Sequence, residues 1–165
     1  MKELSLREYN SDDAKTILSF IADKASFYLW SAGVLGLYPL SSYDFNKRIE
    51  ELKTNRFYPY VLTDGLNCLG FISLRYRDNF NNLTLGFVII NPNIRGKGIG
   101  KKMLELAINK AFNEYKASEV NLRVFANNTP AYKCYKACGF IENGIEETYE
   151  INDTKLKCIE LVKKN

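Results

Sequence analysis

The residues most suited to chemistry form a glycine-rich segment in the middle of the chain. Residues 95–102 read RGKGIGKK and follow an apolar run, residues 85–90, that is typical of a buried strand. Glycine lets the backbone approach a ligand closely, and a helix that begins after such a loop presents unpaired N–H groups. Phosphate oxygens bind these groups, and the helix dipole favours their negative charge. The segment therefore predicts a site for a phosphate-bearing ligand.

The spacing of the glycines argues against two common phosphate-binding loops. A Walker A loop needs glycine five positions before Gly100 and Ser or Thr two positions after it, but the chain has Arg95 and Lys102 there. A dinucleotide-binding loop needs GxGxxG, but Lys101 occupies the position of the third glycine. The spacing therefore disfavours nucleotide binding through either of these loops.

Charge supports an anionic ligand at this segment. Residues 79–104 contain no Asp or Glu but four cations, namely Arg95, Lys97, Lys101 and Lys102. The whole chain has 23 basic and 19 acidic residues, a net charge of +4, which is too mild to indicate nucleic-acid binding. We expect no nucleic-acid partner.

The chain has no histidine and four cysteines. The lack of histidine excludes a Ser-His-Asp or Cys-His hydrolase, so a general acid or base must be Asp, Glu, Tyr, Cys, Lys or water. The cysteines form no CxxC pair, and we expect reduced thiols and no metal site. They are Cys68, Cys134, Cys138 and Cys158.

A second segment with a distinctive spacing lies further along the chain. Residues 120–125 predict a strand, and Pro130 suits the first turn of a short helix that ends at Gly139. The first segment, Arg95-x-x-Gly98-x-Gly100, resembles the [QR]xxGx[GA] loop of the GNAT superfamily of acetyl-CoA-dependent N-acetyltransferases. The second resembles the family's NxxAxxxYxxxGF signature through Asn128, Ala131, Tyr135, Gly139 and Phe140.

The resemblance implies where acetyl-CoA binds as cosubstrate. Its pantetheine arm would pair with the strand that ends at Ile89 and Ile90, and its pyrophosphate would contact backbone N–H groups of the loop. Asn128 would bind the cofactor, cap the following helix, or do both. Tyr135 would act as general acid on the departing thiolate. The expected cofactor contacts are Ile89, Ile90, Arg95, Gly96, Lys97, Gly98, Ile99, Gly100, Lys101 and Asn128.

The general base and the acceptor site stay open. Related enzymes often carry Glu on the strand before the asparagine, but the matching residue here is Arg123. Candidate bases are Glu142, Glu146, Glu147 or a water held by the backbone near Asn91. Tyr28, Trp30 and Tyr38 either contact the acceptor, as the corresponding region does in the family, or pack onto the core.

The periodicity of the chain predicts an α/β (α+β) fold in one domain, residues 1–165, with a mixed sheet of about seven strands flanked by about four helices. The resemblance implies that this sheet is GNAT-like and mostly antiparallel. Helices are expected at 11–24, at 41 or 42 to 53, at 98–116 and at 130–138. Strands are expected at 4–9, 57–63, 68–76, 83–90, 120–125, 140–151 and 155–162. An aromatic loop is expected at 27–40 and turns at 64–65 and 78–82.

These observations predict a cytoplasmic N-acetyltransferase that moves acetyl directly from acetyl-CoA to an amine in a ternary complex. The amine could belong to a small molecule or to a peptide or protein N-terminus. The alternative is a non-catalytic acyl-CoA-binding sensor or interaction module. No apolar run of signal-peptide or membrane-spanning length appears, so we expect no membrane partner. The resemblance implies a monomer or homodimer.

Overall fold

The computed structural model describes residues 2–77 and 81–165. Its strands are β1 (Ser5–Glu8), β2 (Phe57–Thr63), β3 (Cys68–Tyr76), β4 (Asn82–Ile90), β5 (Glu119–Phe125), β6 (Ile141–Ile151) and β7 (Thr154–Lys164). They form one sheet in the order β1-β2-β3-β4-β5-β7-β6. Only β4 and β5 pair in parallel, which confirms the predicted mixed, mostly antiparallel sheet. The turn expected at 78–82 lies largely outside the described residues.

Within residues 2–77 and 81–165, five helices flank the sheet, one more than expected. They are α1 (Ala14–Ser19), α2 (Lys24–Ser31), α3 (Ser42–Lys53), α4 (Ile99–Asn109, continued by a π-helical turn, Lys110–Glu114) and α5 (Thr129–Ala137). The single helix expected at 11–24 is wrong, because α1 ends at Ser19 and a new helix begins after Asp23. The Asp23 carboxylate accepts from the Ser26 amide at 2.8 Å, and this N-cap starts α2. The first part of the expected aromatic loop is therefore helical.

Two hydrophobic clusters cover the two faces of the sheet. Residues alternate along β3, so Ile72 and Leu74 pack towards α4 and α5, whereas Phe71 packs with side chains from α1 to α3. We call these the α4 face and the α2 face. Within the described residues, no helix has the length and apolar character needed to cross a bilayer.

The sheet opens between β4 and β5. These strands pair only over Asn82–Thr84 and Glu119–Asn121. Further along, a bulge places Phe87 and Val88 opposite Ile72 alone, and Phe87 adopts a φ of 49°. A bulge bends its strand away from the regular ladder, so the final residues of β4 diverge from β5. The gap forms a cleft of about 1100 Å³.

Candidate active site

This central cleft is lined from both faces of the sheet. Leu104 of α4 and Tyr135 of α5 reach it from the α4 face, and Trp30 of α2 reaches it from the α2 face. The final residues of β4, Ile89 and Ile90, line it as well. A cleft built in this way can hold two ligands whose reacting ends meet between the separated strands.

The glycine loop supplies a row of free backbone donors at one end of the cleft. Lys102 makes the first helical hydrogen bond of α4, to the Gly98 carbonyl at 3.0 Å. The amides of residues 96–101 have no acceptor within the described part of the chain. Gly96 and Gly98 both adopt a φ of 75°, and a Cβ on either would meet no atom within 4 Å. Glycine is therefore needed there for its left-handed backbone and not for space.

Cationic side chains surround these donors. Arg95 and Lys101 line the cleft, whereas Lys97 and Lys102 are exposed outside it. The Arg95 guanidinium also donates to the Ile90 carbonyl at 3.2 Å and thereby ties the loop to the end of β4. The loop thus combines positive charge with aligned N–H groups, as binding of a pyrophosphate requires.

The open edge of β4 offers the third element of a cofactor site. From Leu85 to Ile90 the strand has no pairing with β5. Its free backbone groups can pair with the amides of an extended ligand, as an added strand would. All of the expected cofactor contacts line the cleft except Lys97 and Ile99. The backbone amides of these two residues still belong to the row of free donors.

Asn128 caps helix α5 and also lines the cleft. Its side-chain oxygen accepts from the Ala131 amide at 3.4 Å, as the capping expectation requires. Its amide nitrogen has no acceptor within the described residues. The cap therefore leaves one donor of this side chain available to a ligand.

Tyr135 is buried, with 7% of its surface exposed, yet it lines the cleft. Its ring packs edge-on against Phe140 at 6.3 Å, and its hydroxyl has no hydrogen-bond partner in the described part of the chain. Burial, with the neighbouring thiols Cys134 and Cys138, raises the pKa of this phenol above its usual value. The hydroxyl therefore holds its proton at neutral pH.

Cys134, the neighbour of Tyr135 on α5, also lines the cleft. The neighbouring Cys138 thiol lowers the pKa of Cys134 to about 7, an effect that burial opposes and the charge of Lys101 aids. Adjacent residues on one helix usually face different directions, so this placement was missed. The thiolate form of Cys134 is accessible near neutral pH.

The candidate bases are engaged elsewhere. Glu142 accepts from the Tyr132 hydroxyl at 2.5 Å, and Glu146 pairs with Lys157 at 2.8 Å. Glu147 lies on the α2 face, opposite Cys158, but Arg123 holds its carboxylate at 2.6 Å. None of these glutamates lines the cleft. Likewise, the Asn91 side chain accepts from the Asn93 amide at 3.0 Å and caps a 3-10 turn.

The structure separates the three expected acceptor contacts. Trp30 lines the cleft, and its ring packs against Phe87 of β4 at 6.0 Å. Tyr28 is buried in the core, where its hydroxyl accepts from the Tyr38 amide at 3.3 Å. Tyr38 packs against Phe27 at 5.6 Å. Because the loop assumed for this region is helix α2, Tyr28 and Trp30 lie on different sides of one helix.

An arginine network on the α2 face was not foreseen. Arg77 donates twice to Glu160, at 2.9 and 3.2 Å, and Arg123 donates to the same carboxylate at 3.2 Å. Glu160 is only 2% exposed and also accepts from Asn143 at 2.8 Å. Burial opposes its ionisation, but these donors prevail and lower its pKa. Arg75 and Arg77 alternate on β3 and beyond it, so their shared face could have been read from the sequence.

The divided sheet, the row of free amides and the buried phenol together define an acyl-CoA-dependent transferase. The model of the acetyltransferase (GNAT) family matches residues 21–140. The spermidine N(1)-acetyltransferase of Vibrio cholerae is 30% identical over 122 residues, which cover 69% of this chain and 68% of that protein. This chain therefore belongs to the GNAT family of acetyltransferases.

Other comparisons give a further relative and two solved structures with the same fold. The spermine/spermidine N(1)-acetyltransferase of Bacillus subtilis is 38% identical over 68 residues, 41% of this chain and 45% of the relative, so that match spans less than half its length. The crystal structure of the Vibrio cholerae spermidine N-acetyltransferase in complex with CoA and spermine has a TM-score of 0.83 at 21% identity, covering 99% of this chain and 96% of that one. The ribosomal-protein-S5-alanine acetyltransferase of Vibrio fischeri gives 0.74 at 20% identity, covering 100% and 94%.

Proposed function

We propose that this GNAT N-acetyltransferase moves acetyl from acetyl-CoA directly onto a primary amine inside the central cleft, with Tyr135 as the general acid. The observation that carries the proposal is the shared lining of one cleft: free loop amides at its end, an unpaired strand edge along its wall and a protonated, unpartnered phenol within it. These parts fit the pyrophosphate, the pantetheine amides and the thioester sulfur of acetyl-CoA respectively.

The thioester supplies an activated acyl group. As the amine nitrogen forms a bond to the carbonyl carbon, the carbon–sulfur bond breaks and the sulfur leaves with the electron pair. Tyr135 holds a proton at neutral pH because burial raises its pKa, so it can donate that proton to the departing sulfur. Tyr135 would recover a proton from solvent before the next turnover.

The amine proton needs a different route. The part of the cleft lining that the structure describes contains no Asp or Glu, and the glutamates beside it, Glu147 and Glu160, are held by arginines. We infer that the acceptor binds as the neutral amine or loses its proton through water. A lysine-like amine is mostly protonated at neutral pH, so the rate should rise with pH towards the pKa of the acceptor.

Calorimetry with acetyl-CoA tests the cofactor site directly. The Gly98→Glu variant places a carboxylate and a strained backbone where the loop amides must meet phosphate, so it should abolish the binding seen for the wild type. Gly144→Glu is the matched control: Gly144 has a similar φ of 83° and open space around it, but it lies in β6 outside the cleft. Equal binding by the two variants would contradict the assignment of the loop.

Thiol release from acetyl-CoA in the presence of amines tests turnover. Polyamines are acceptors named for relatives from Vibrio and Bacillus, so spermidine is the reference acceptor for this assay. Binding of acetyl-CoA without thiol release for any amine would contradict the proposed transfer. It would leave the acyl-CoA sensor as the better account.

A further inference from the structure

The acceptor side of the central cleft is positively charged. Three arginines line it there, Arg75, Arg77 and Arg123, and within the described residues no acidic side chain does. We propose that this side binds an amine that also carries an anionic group, a carboxylate or a phosphate. This inference rests on the proposed acetyl transfer and specifies its acceptor.

The three arginines belong to the α2 face, opposite the glycine loop. Arg75 follows Ser73 and Phe71 at alternating positions of β3, and Phe71 packs in the hydrophobic cluster formed with α1 to α3. Arg123 pairs across the sheet with Glu160, on the same face. The loop amides begin helix α4, which covers the other face. The arginines are therefore placed for the second ligand of the cleft and not for the pyrophosphate.

The three arginines outnumber the carboxylates that pair with them, which leaves one guanidinium for a ligand. Glu160 binds both Arg77 and Arg123, and Glu147 adds a second carboxylate at Arg123. The Arg75 side chain is exposed to the cleft, and its guanidinium makes no hydrogen bond or ion pair with any described residue. Three cations thus meet two carboxylates. The surplus positive charge lies on Arg75, whose planar donors suit a carboxylate or a phosphate.

A neighbouring amide has the same donor character. The Asn121 side chain is fully buried beside Thr84, whose hydroxyl donates to its oxygen at 2.8 Å. Its amide nitrogen has no partner within the described residues. Asn121 does not line the cleft, so its free donor adds positive character beside Arg75 but does not itself contact the ligand.

The same features disfavour a polyamine. A polyamine carries several ammonium groups and is bound through carboxylates, because only acceptors or negative charge can complete its donors. Residues 24–43, which include α2 and the segment that follows it, contain no Asp or Glu. An extended polycation in this cleft would face Arg75 without a compensating acid. The acceptor named for the relatives is therefore not the one that this cleft suits best.

Paired acceptors test the proposal through kcat/KM measured by thiol release. Each pair keeps the amine and changes only the anion: amino acids against their carboxamides, and phosphoethanolamine against ethanolamine. Spermidine is included as the polycation. We expect the anionic member of at least one pair to exceed its partner and spermidine by tenfold or more. The pair that responds distinguishes a carboxylate from a phosphate.

Variants then assign the preference to Arg75. Arg75→Gln should remove most of the preference for the anionic acceptor by raising the KM for that acceptor, while kcat and the Kd for acetyl-CoA stay within about twofold of the wild type. Arg75→Lys should keep part of the preference. Lys47→Gln, an equal charge change on an exposed position of α3 outside the cleft, should leave it intact. Thermal melting checks that each variant is folded.

Three results would overturn the inference while leaving acetyl transfer intact. The first is that spermidine, or the neutral member of every pair, is acetylated faster than the anionic members. The second is that both members of every pair are inert. The third is that Arg75→Gln binds acetyl-CoA more weakly while its acceptor KM is unchanged. The last would assign Arg75 to the cofactor. Failure of the wild type to bind acetyl-CoA would instead refute the proposed function itself.

Discussion

Replacing Tyr135 by Phe removes one hydroxyl from the cleft and little else. The ring would keep its edge-on contact with Phe140. The hydroxyl has no partner among the described residues, so its loss should change the free energy of unfolding by less than about 1 kcal/mol. If the hydroxyl donates the proton to the leaving sulfur, kcat should fall by about 10²- to 10⁴-fold, or about 3–5 kcal/mol in the barrier.

The assay is thiol release at saturating acetyl-CoA, with calorimetry to show that cofactor binding is unchanged. Because burial raises the pKa of Tyr135, the wild-type rate should not decline between pH 7 and the ordinary tyrosine value of 10 through loss of this proton. Tyr132→Phe is the control, since that hydroxyl lies on the same helix but binds Glu142 outside the cleft. A Tyr135→Phe enzyme that keeps kcat within threefold of the wild type would refute the assignment.

Three further predictions concern the loop, a thiol and the arginine network. Gly98→Ala should lower the free energy of unfolding by about 1–2 kcal/mol, because alanine is strained in a left-handed backbone, and should weaken acetyl-CoA binding at least tenfold. Gly144→Ala should carry the same strain but bind acetyl-CoA normally. Alkylation of Cys134 by iodoacetamide should reach half its maximal rate near pH 7, be blocked by acetyl-CoA and shift to higher pH in Cys138→Ala; its persistence under saturating acetyl-CoA would contradict the placement in the cleft. The lowered pKa of Glu160 contributes stability that is fully present above its ordinary value of 4.5 and is lost as pH falls through the folded-state value. In urea unfolding, the free energy of unfolding should therefore fall more steeply below pH 4.5 for the wild type than for Glu160→Gln.

Local patterns were enough to predict most of the strands and the cofactor half of the site. The apolar run before the glycine loop and the order of Arg95, Gly98 and Gly100 depend on neighbouring residues only, and the structure places them at one cleft. The helices at the start of the chain were harder, because the sequence from Ser11 to Lys24 has helical character throughout. A single side-chain cap at Asp23 divides it, and capping of this kind competes closely with continuation of the helix.

The acceptor half of the site depends on contacts that no local pattern contains. Arg77 and Glu160 are separated by 83 positions, yet they share a buried ion pair, and Arg123 joins it from a third strand. The opening of the sheet depends on the bulge at Phe87, whose positive φ is unusual for a large side chain. Alternation along β3 would place Arg75 on the α2 face, but only the register between strands shows that this face borders the cleft.

The opening of the sheet also explains why the two halves of the site can vary independently. The proposed cofactor half consists of backbone groups of the loop and of β4, whose geometry depends on glycine and on the missing β5 pairing. The proposed acceptor half consists of side chains of β3 and β5 that point to the other face. A substitution at Arg75 can therefore change acceptor preference without disturbing the loop. Members of one family can share acetyl-CoA binding and still differ in the charge of the amine that they accept, so the names of relatives predict the cofactor more securely than the acceptor.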